Sequence, residues 1–253
     1  MNEIDGGILE SGKPGQDGRE TPVKTGVSVI IPALNEEKTI GEVVGAIPRD
    51  IADEIIVVDN GSDDGTTDRA IEFGARVVME PRRGYGQACQ AGVGAVSKDC
   101  RIVVFLDGDG SDCPELMEKL VAPIRAGTHD FVIGSRTRGE REQGSMNFQQ
   151  ILAGKIAGFF LKALYGVRYT DMCPFRAIRR QALDRLHMRE KTYGWNLEMQ
   201  MRAARADLRI LEVPVNHRRR AGGESKVSGT ISGTFRAAGR ILTTLVRIAL
   251  ERN

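Results

Sequence analysis

Cysteine is scarce in this sequence, and its cysteines never occur in closely spaced pairs. Cys89, Cys100, Cys113 and Cys173 stand apart from one another, and none of them belongs to a C-x-x-C pair. Oxidising compartments favour disulfide frameworks, which need regularly paired cysteines. We therefore expect four reduced, mostly buried thiols and a cytoplasmic protein.

Aromatic residues and long apolar runs are also few. Aromatic side chains make up 5% of the residues, and no aromatic-rich platform for stacking single-stranded nucleic acid is visible. Nucleic acid is therefore a disfavoured partner. The longest apolar stretch, from Ile151 to Val167, is interrupted by Lys155 and Lys162. We do not expect the chain to span a bilayer alone, because a spanning helix needs about 20 apolar residues.

The net charge is small, but the charge is unevenly distributed. The whole chain carries +2, whereas the segment from Met201 to the end has eleven Lys and Arg against four Asp and Glu. Such a basic region suits an anionic partner, such as a phosphate or a membrane surface.

The 253 residues are enough for one sizeable α/β domain. We expect a flexible tail at 1–25, a catalytic domain at 26–226 and a C-terminal amphipathic helix at 227–253. In that last helix Arg236, Arg240 and Arg247 share a stripe opposite the apolar residues. Two interpretations stay open for it: packing on the domain, or lying on an anionic membrane surface.

Strand-like and helix-like segments alternate through the first half. Short runs rich in β-branched residues occur at 27–32, 54–59, 75–79, 101–107 and 130–135, with helical patterns between them. Continuous apolar runs are typical of parallel strands that are covered on both faces. This alternation predicts an α/β fold with a mostly parallel central sheet flanked by helices. The second half predicts a long helix near 148–165, a short strand or loop at 173–178, a helix at 194–206 and a strand at 208–215.

Acidic residues follow the fourth predicted strand, at the edge where such sheets bind ligands. Asp107 and Asp109 come directly after it, separated by Gly108. Mg²⁺ or Mn²⁺ held by one or two carboxylates, with substrate phosphates completing the shell, fits this pattern. A calcium loop fits poorly, because its sixth position needs Gly and holds Asp112. A dinucleotide site fits no better, because no glycine fingerprint follows the first strand.

Arginines stand near Gly-rich loops at three places. Arg83 precedes Gly84, Arg136 follows the fifth predicted strand, and the run 218–220 precedes Gly222. Guanidinium groups match phosphate oxygens, so these residues are candidates for gripping phosphate. Solvated loops remain the alternative for them.

The ordered set of motifs resembles family 2 glycosyltransferases of the GT-A fold, and most of all the dolichyl- or polyprenyl-phosphate mannose and glucose synthases. The motifs are VSVIIPALNEEKTI, EIIVVDNGSDDGT, FLDGDGSD, VIGSR, TDMCPFRAIRR, YGWNLEMQMRA and EVPVNHRRRAGGESK.

The resemblance implies a role for each matching residue. For the nucleotide-sugar it implies Pro32, Ala33, Leu34, Glu36, Asp59, Gly61, Arg83, Asp107 and Gly108; for the metal, Asp107, Asp109 and Ser111; for catalysis, Asp171, Arg136, Arg220 and Lys226; and for the acceptor, Arg136, Trp195 and Ser225.

The expected reaction is an inverting transfer of a hexose from a GDP-mannose or UDP-glucose type donor to a polyprenyl or dolichyl phosphate. A phosphate acceptor is already anionic, whereas a hydroxyl acceptor of a cell-surface glycan would need a base, for which Asp171 is the candidate. A nucleotidyltransferase and a non-catalytic protein that binds a nucleotide-sugar or a membrane are further alternatives. We expect a peripheral protein at the inner face of the membrane, with a homo-oligomer or a membrane partner subunit compatible with the sequence.

Overall fold

The computed structural model describes residues 25–146, 148–221, 243–244 and 246–248. The expected tail lies outside the described residues except for Thr25, and so does most of the expected C-terminal helix. Ser225 and Lys226 also lie outside them.

Seven strands form one sheet in the described part of the chain. They are β1 (Val27–Ala33), β2 (Glu54–Asp59), β3 (Arg76–Met79), β4 (Ile102–Phe105), β5 (Phe131–Ser135), β6 (Arg176–Arg179) and β7 (Ile210–Pro214). Their order across the sheet is β3-β2-β1-β4-β6-β5-β7. Strand β6 runs antiparallel to β4 and β5, and the other pairs are parallel. The expected mostly parallel sheet is confirmed.

The helices lie between the strands, as the strand–helix alternation predicts. They are α1 (Glu37–Gly45), α2 (Thr66–Glu72), α3 (Tyr85–Ala95), α4 (Met117–Arg125), α5 (Phe148–Tyr165), α6 (Arg180–Leu186) and α7 (Trp195–Arg205), with a 3-10 turn at Pro114–Leu116. Helix α3 packs on β1 and β2, α4 packs on β5 and β6, and α5 contacts α7. Helix α6 was not predicted; it is short, and His187, the residue that follows it, has a left-handed φ of 47°.

The core consists mainly of the strands' β-branched side chains, because both faces of the central strands are covered. Ile30, Ile56, Val104 and Val132 are fully buried. All four cysteines are free and buried, as expected. No helix in the described residues is long and apolar enough to cross a membrane.

The polarity of β6 decides which segments meet at the ligand-binding edge. Strands β1, β2, β4, β5 and β7 all end at this edge, whereas the antiparallel β6 begins there. The backbone N–H of Gly134, near the end of β5, donates to the carbonyl of Phe175, just before β6, at 2.9 Å. Segments 135–137 and 170–175 are therefore neighbours, although they are distant in sequence.

Candidate active site

Two carboxylates lie beyond the end of β4 on the wall of a cavity of about 850 Å³. Asp107 Oδ1 accepts a hydrogen bond from the hydroxyl of Tyr85 at 3.0 Å. Asp109 Oδ1 accepts from the backbone N–H and the hydroxyl of Ser111, at 2.9 and 2.6 Å. Gly108, between them, is held by its carbonyl, which accepts from the hydroxyl of Thr39 at 2.8 Å. These contacts fix the loop so that both carboxylates face the same space.

A third carboxylate supports this loop from behind. The buried Asp112 accepts the backbone N–H of Asp107 at 3.0 Å. Burial, and then the negative charge of Asp109, raises the pKa of Asp107 to about 7. Burial, and then the charge of Asp107, raises the pKa of Asp112 to about 8. Crowded carboxylates resist ionisation in this way unless a cation balances them.

The donor set fits a hard divalent cation that is shared with a substrate. Carboxylate oxygens are the ligands that Mg²⁺ and Mn²⁺ prefer, and Mg²⁺ usually takes one or two of them together with substrate phosphates. Within the described residues, no group of three or more His, Cys, Asp or Glu side chains converges on one point. Asp107 and Asp109 would therefore hold such an ion only in part, with the remaining ligands coming from elsewhere. Ser111 lines the same wall, but its hydroxyl is donated to Asp109.

Arg220 already contributes positive charge to this acidic pair. Its Nη2 lies 2.6 Å from Asp109 Oδ2, and its Nη1 lies 3.5 Å from Glu36 Oε1. Segment 215–221 follows β7 and crosses the same edge, where the N–H of Arg218 donates to the carbonyl of Ser111 at 2.9 Å. Arg219 lines the cavity too, although its hydrogen bonds go to Glu142 and Gln143. Arg219 and Arg220 thus form part of the cavity wall, whereas the side chain of Arg218 is bound to Glu115 and does not line the cavity.

The buried His217 precedes this run. Its Nδ1 lies 3.9 Å from Asp112 Oδ1 and makes no hydrogen bond within the described part of the chain. Burial, and then the charge of Arg136, lowers the pKa of His217 to about 4. The ring is therefore neutral near neutral pH.

Arg136 and Asp171 form one tightly bound unit. Arg136 Nε and Nη2 donate to Asp171 Oδ2 and Oδ1, each at 2.8 Å, and the backbone N–H of Arg136 adds a third bond at 2.9 Å. Met172 N–H donates to Asp171 Oδ1 at 2.7 Å. Burial alone raises the pKa of Asp171, but the hydrogen bonds and charge of Arg136 outweigh it, so the net pKa is lowered. Asp171 is 2% exposed, whereas Arg136 reaches the cavity wall.

Another part of the wall comes from the ends of β1 and β2. Pro32, Ala33, Leu34 and Glu36 line it after β1. Asn60, after β2, ties this wall to the loop before α3. Its side-chain amide donates to the carbonyls of Glu80 and Arg82, each at 2.8 Å, and its oxygen accepts the N–H of Gly84 at 2.7 Å.

The family of the chain follows from comparison with known proteins. The sequence model described as Glycosyl transferase family 2 matches residues 28–187. This chain belongs to glycosyl transferase family 2. An uncharacterised glycosyltransferase of Mycobacterium tuberculosis is 37% identical over 83% of this chain and 93% of its own length. A dolichyl-phosphate hexose transferase of Haloferax volcanii is 34% identical over 89% of this chain and 94% of its own length.

Solved structures of glucosyl-3-phosphoglycerate synthase from Mycobacterium tuberculosis share the fold. One contains Mn²⁺ and UDP-glucose, and its match covers 90% of this glycosyltransferase and 80% of the synthase chain. Another contains Mn²⁺, UDP and glucosyl-3-phosphoglycerate, and covers 90% and 81%. Each has a TM-score of 0.69 and 26% sequence identity. The expected GT-A type fold is confirmed.

The cavity of the glycosyltransferase gathers most of the residues that the sequence singled out. Those on its wall are Pro32, Ala33, Leu34, Glu36, Arg83, Asp107, Gly108, Asp109, Ser111, Arg136 and Arg220. Asp59 lies behind the wall, 2% exposed, and accepts the N–H of Ser62 at 2.7 Å. Gly61 has a left-handed φ of 82° and lies beside the Arg83 guanidinium, so it shapes the loop rather than the wall. Ser225 and Lys226 are among the residues that are not described.

Two site expectations need correction. Trp195 is 1% exposed and meets the ring of Phe105 edge-on at 6.2 Å, so it is a core residue and does not reach the cavity. Tyr193, two residues earlier and 44% exposed, lines the cavity instead. Asp171 is not a free base, because N–H donors occupy both of its oxygens. Tyr85, Asn60 and Tyr193 line the cavity but were not among the expected site residues. The position of Asn60 directly after β2 and that of Tyr85 beside Arg83 and Gly84 indicate the first two in sequence, whereas no signal indicates Tyr193.

The described part of the C-terminal segment favours packing over membrane contact. Thr244 and Ile248 are buried. Arg247 Nη2 lies 3.5 Å from Glu190 and 3.4 Å from Glu198, both of which are buried. The other two arginines of the predicted stripe, Arg236 and Arg240, lie outside the described residues.

Proposed function

We propose that this glycosyltransferase moves a hexose from a nucleotide-sugar to a polyprenyl phosphate, at a membrane surface facing the cytoplasm, with Mg²⁺ or Mn²⁺ as its cofactor. The observation that carries the acceptor choice is the Arg136–Asp171 unit. An arginine whose carboxylate partner fixes it on the cavity wall suits a phosphate, and the same contact removes the candidate base that a hydroxyl acceptor would need. The dolichyl-phosphate hexose transferase of Haloferax volcanii supports this acceptor class by its name.

The donor would lie across the carboxyl ends of β1, β2 and β4. The residues after β1 would contact the base and ribose, with Asp59 and Gly61 holding the neighbouring loop. Asp107 and Asp109 would hold the cation, which when bound supplies positive charge to the diphosphate. Arg220, and Lys226 beyond the described residues, would add positive charge to the leaving diphosphate as the bond to the sugar breaks.

The acceptor phosphate would lie beside Arg136. Its oxygen is ionised near neutral pH and attacks the anomeric carbon from the face opposite the leaving group, which inverts the configuration. No proton has to be removed from this oxygen, so the chain needs no base at this point. Its main difficulty is electrostatic: the acceptor must approach a diphosphate, and Arg136 and Arg219 offset that repulsion.

A soluble phosphorylated acceptor is the second candidate. The similarity to glucosyl-3-phosphoglycerate synthase, which was solved with Mn²⁺, UDP and its product, favours testing it. In that case a hydroxyl would be the nucleophile. The saturated Asp171 argues against this reaction here.

An acceptor and donor screen tests the proposal. The full chain is incubated with Mn²⁺, Mg²⁺ or EDTA, with UDP-glucose or GDP-mannose, and with polyprenyl phosphate or 3-phosphoglycerate. Released nucleotide and the glycosylated product are both measured. Metal-dependent formation of a glycosyl phospholipid is the expected result. Transfer only to 3-phosphoglycerate, or full lipid transfer in EDTA, would overturn the assignment.

A further inference from the structure

Helix α5 packs on the domain through a narrow face that includes Ala157, Gly158 and Leu161, and most of its large apolar residues point outward. Gly158 allows the close approach, because a side chain there would collide with the carbonyl oxygen of Tyr169. Ala157 and Leu161 are 2% and 1% exposed on the same inner face. A helix that covers a domain core normally buries its large apolar side chains instead.

The outer face of α5 is the main apolar surface of the described chain. In the described part of the chain nine large apolar side chains are exposed, and five of them belong to α5. They are Leu152, Ile156, Phe159, Phe160 and Leu164, exposed by 43%, 48%, 68%, 36% and 48%. Single exposed apolar residues are ordinary, but a contiguous group on one helix face indicates an interaction surface.

Positive charge borders this surface on one side. A cavity of about 520 Å³ beside α5 is lined by Arg141, Lys155, Lys162 and Arg168, together with Phe159, and its lining holds no Asp or Glu. Within the described residues, no ion pair joins any of these four cations to a carboxylate. Unpaired cations beside exposed apolar side chains fit a surface that presents anionic headgroups above acyl chains.

This basic cavity adjoins the Arg136–Asp171 unit. Thr137 and Thr170, which line it, are the chain neighbours of Arg136 and Asp171. The two threonine hydroxyls lie 3.2 Å apart. A phosphate at Arg136 would therefore be next to the cationic side of α5, and α5 would face the source of that phosphate.

We infer that the outer face of α5 docks on an anionic lipid bilayer, with Phe159 and its apolar neighbours at the acyl boundary and the four cations at the headgroups. This inference rests on the proposed polyprenyl phosphate acceptor, because docking brings the Arg136 side of the site to the membrane. A second copy of the chain is a poorer occupant. A two-fold interface through α5 would bring the lysines of one copy near those of the other, with no carboxylate in the cavity lining to balance them.

The surface differs from the one that the sequence indicated. The C-terminal arginine stripe was the sequence-based candidate, but Arg247 is bound to Glu190 and Glu198. Membrane binding through α5 and membrane binding through the C-terminal segment would therefore be weakened by substitutions at different residues.

Vesicle co-sedimentation separates these alternatives. The full chain is mixed, without donor or metal, with phosphatidylcholine vesicles or with vesicles that also contain phosphatidylglycerol. Two variants test the surface: Phe159→Ser, and Lys155→Gln with Lys162→Gln. Two matched controls remove the same chemistry elsewhere: Ile71→Ser, which is 55% exposed on α2, and Lys98→Gln with Lys119→Gln, both exposed. Thermal unfolding of each variant checks that it is folded.

We expect binding to require phosphatidylglycerol and to weaken with salt. Each lysine removed from α5 should lower the partition coefficient about fivefold, which corresponds to about 1 kcal/mol per cation at an anionic surface. Phe159→Ser should weaken binding at least as much, and both controls should bind like the unchanged chain. Because the two α5 variants are separate, misfolding of one leaves the other to decide.

Three results would overturn the inference. One is vesicle binding that is unchanged in both α5 variants. Another is vesicle binding that is lost only in the double variant Arg236→Gln with Arg240→Gln. The third is a stable dimer that Phe159→Ser dissociates, since the face would then belong to a second copy. Transfer to a water-soluble short-chain polyprenyl phosphate is measured in parallel. If that transfer fails while vesicle binding behaves as expected, the proposed function is wrong and the docking surface stands.

Discussion

Arg220→Gln should have opposite effects on two ligands of the same site. Arg220 Nη2 lies 2.6 Å from Asp109 Oδ2, so its guanidinium occupies a carboxylate oxygen that a divalent cation would need. A cation that binds before the nucleotide has to displace this contact. The same guanidinium would afterwards face the diphosphate, so its removal should help the metal and harm the nucleotide.

The size of the effect follows from the geometry of the pair. The Arg220 side chain is 29% exposed and that of Asp109 is 8% exposed, so the contact is only partly screened by water. A hydrogen bond between charged groups of this kind contributes about 1.5–3 kcal/mol. Solvent access to Arg220 favours the lower end of that range. Mn²⁺ alone should therefore bind Arg220→Gln about tenfold more tightly than the unchanged protein.

Mn²⁺ binding is measured by electron paramagnetic resonance without nucleotide, and nucleotide-sugar binding by calorimetry with Mn²⁺ present. Arg219→Gln is the matched control: it removes the same charge from the same wall, but Arg219 bonds to Glu142 and Gln143 rather than to Asp109. We expect Mn²⁺ affinity close to normal in this control. Arg220 does not compete with the cation if Arg220→Gln binds Mn²⁺ no more tightly than the unchanged protein, or if Arg219→Gln gains as much Mn²⁺ affinity.

Three further predictions concern the carboxylates. Asp107→Ala should slow turnover by about 10²–10³-fold, the usual loss for one electrostatic contributor, and a nucleotide-release assay with near-normal turnover would contradict this. Arg136→Ala and Asp171→Asn should each destabilise the fold by about 3 kcal/mol, because each leaves a buried charged partner without its counter-charge. In urea unfolding, the double variant should lose clearly less free energy of unfolding than the two single variants lose together, and strictly additive losses would show that Arg136 and Asp171 do not act as one unit. Without metal, the raised pKa of Asp112, about 8, should make the free energy of unfolding fall as pH rises from about 6.5 to about 8, since the folded state binds more protons in this window. His217, with its pKa lowered from 6.5 to about 4, opposes this fall only at the lower end of the window, where the unfolded state still protonates it. Asp112→Asn keeps His217, so its urea unfolding should show a shallower fall with pH, and an unchanged fall would exclude Asp112 as the cause.

The sequence predicted the fold well where periodicity was strong. Strands β1, β2 and β5 are continuous apolar runs, and the structure places them within one residue of the expected bounds. The polarity of β6 could not be predicted, because RAIR carries no signal for direction and its pairing is decided by distant neighbours. Helix α6 was missed because it has only seven residues, and so short a helix depends on packing for its stability.

The acidic half of the site was predictable because strand ends and carboxylates are both local signals. The aromatic residue on the cavity wall was not predictable. Trp195 and Tyr193 are two residues apart in YGWN, and only the start of α7 decides which ring is buried. Helix α7 gives a weak periodic pattern, since Glu198 and Gln200 are as fully buried as Leu197 and Met199. A polar residue that is buried by hydrogen bonds cannot be distinguished in sequence from one that faces water.

The role of Asp171 shows how a tertiary contact changes the choice of acceptor. In sequence, Asp171 is a carboxylate to which the family resemblance assigns a catalytic role, so it qualifies as a base for a hydroxyl acceptor. The antiparallel β6 brings it against the end of β5, where Arg136 binds both of its oxygens and, with the surrounding hydrogen bonds, lowers its pKa. A carboxylate in this state is a weak base, but it is a strong anchor for a guanidinium on the cavity wall. The contact thus weakens the hydroxyl alternative and strengthens the phosphate acceptor through one pair of hydrogen bonds.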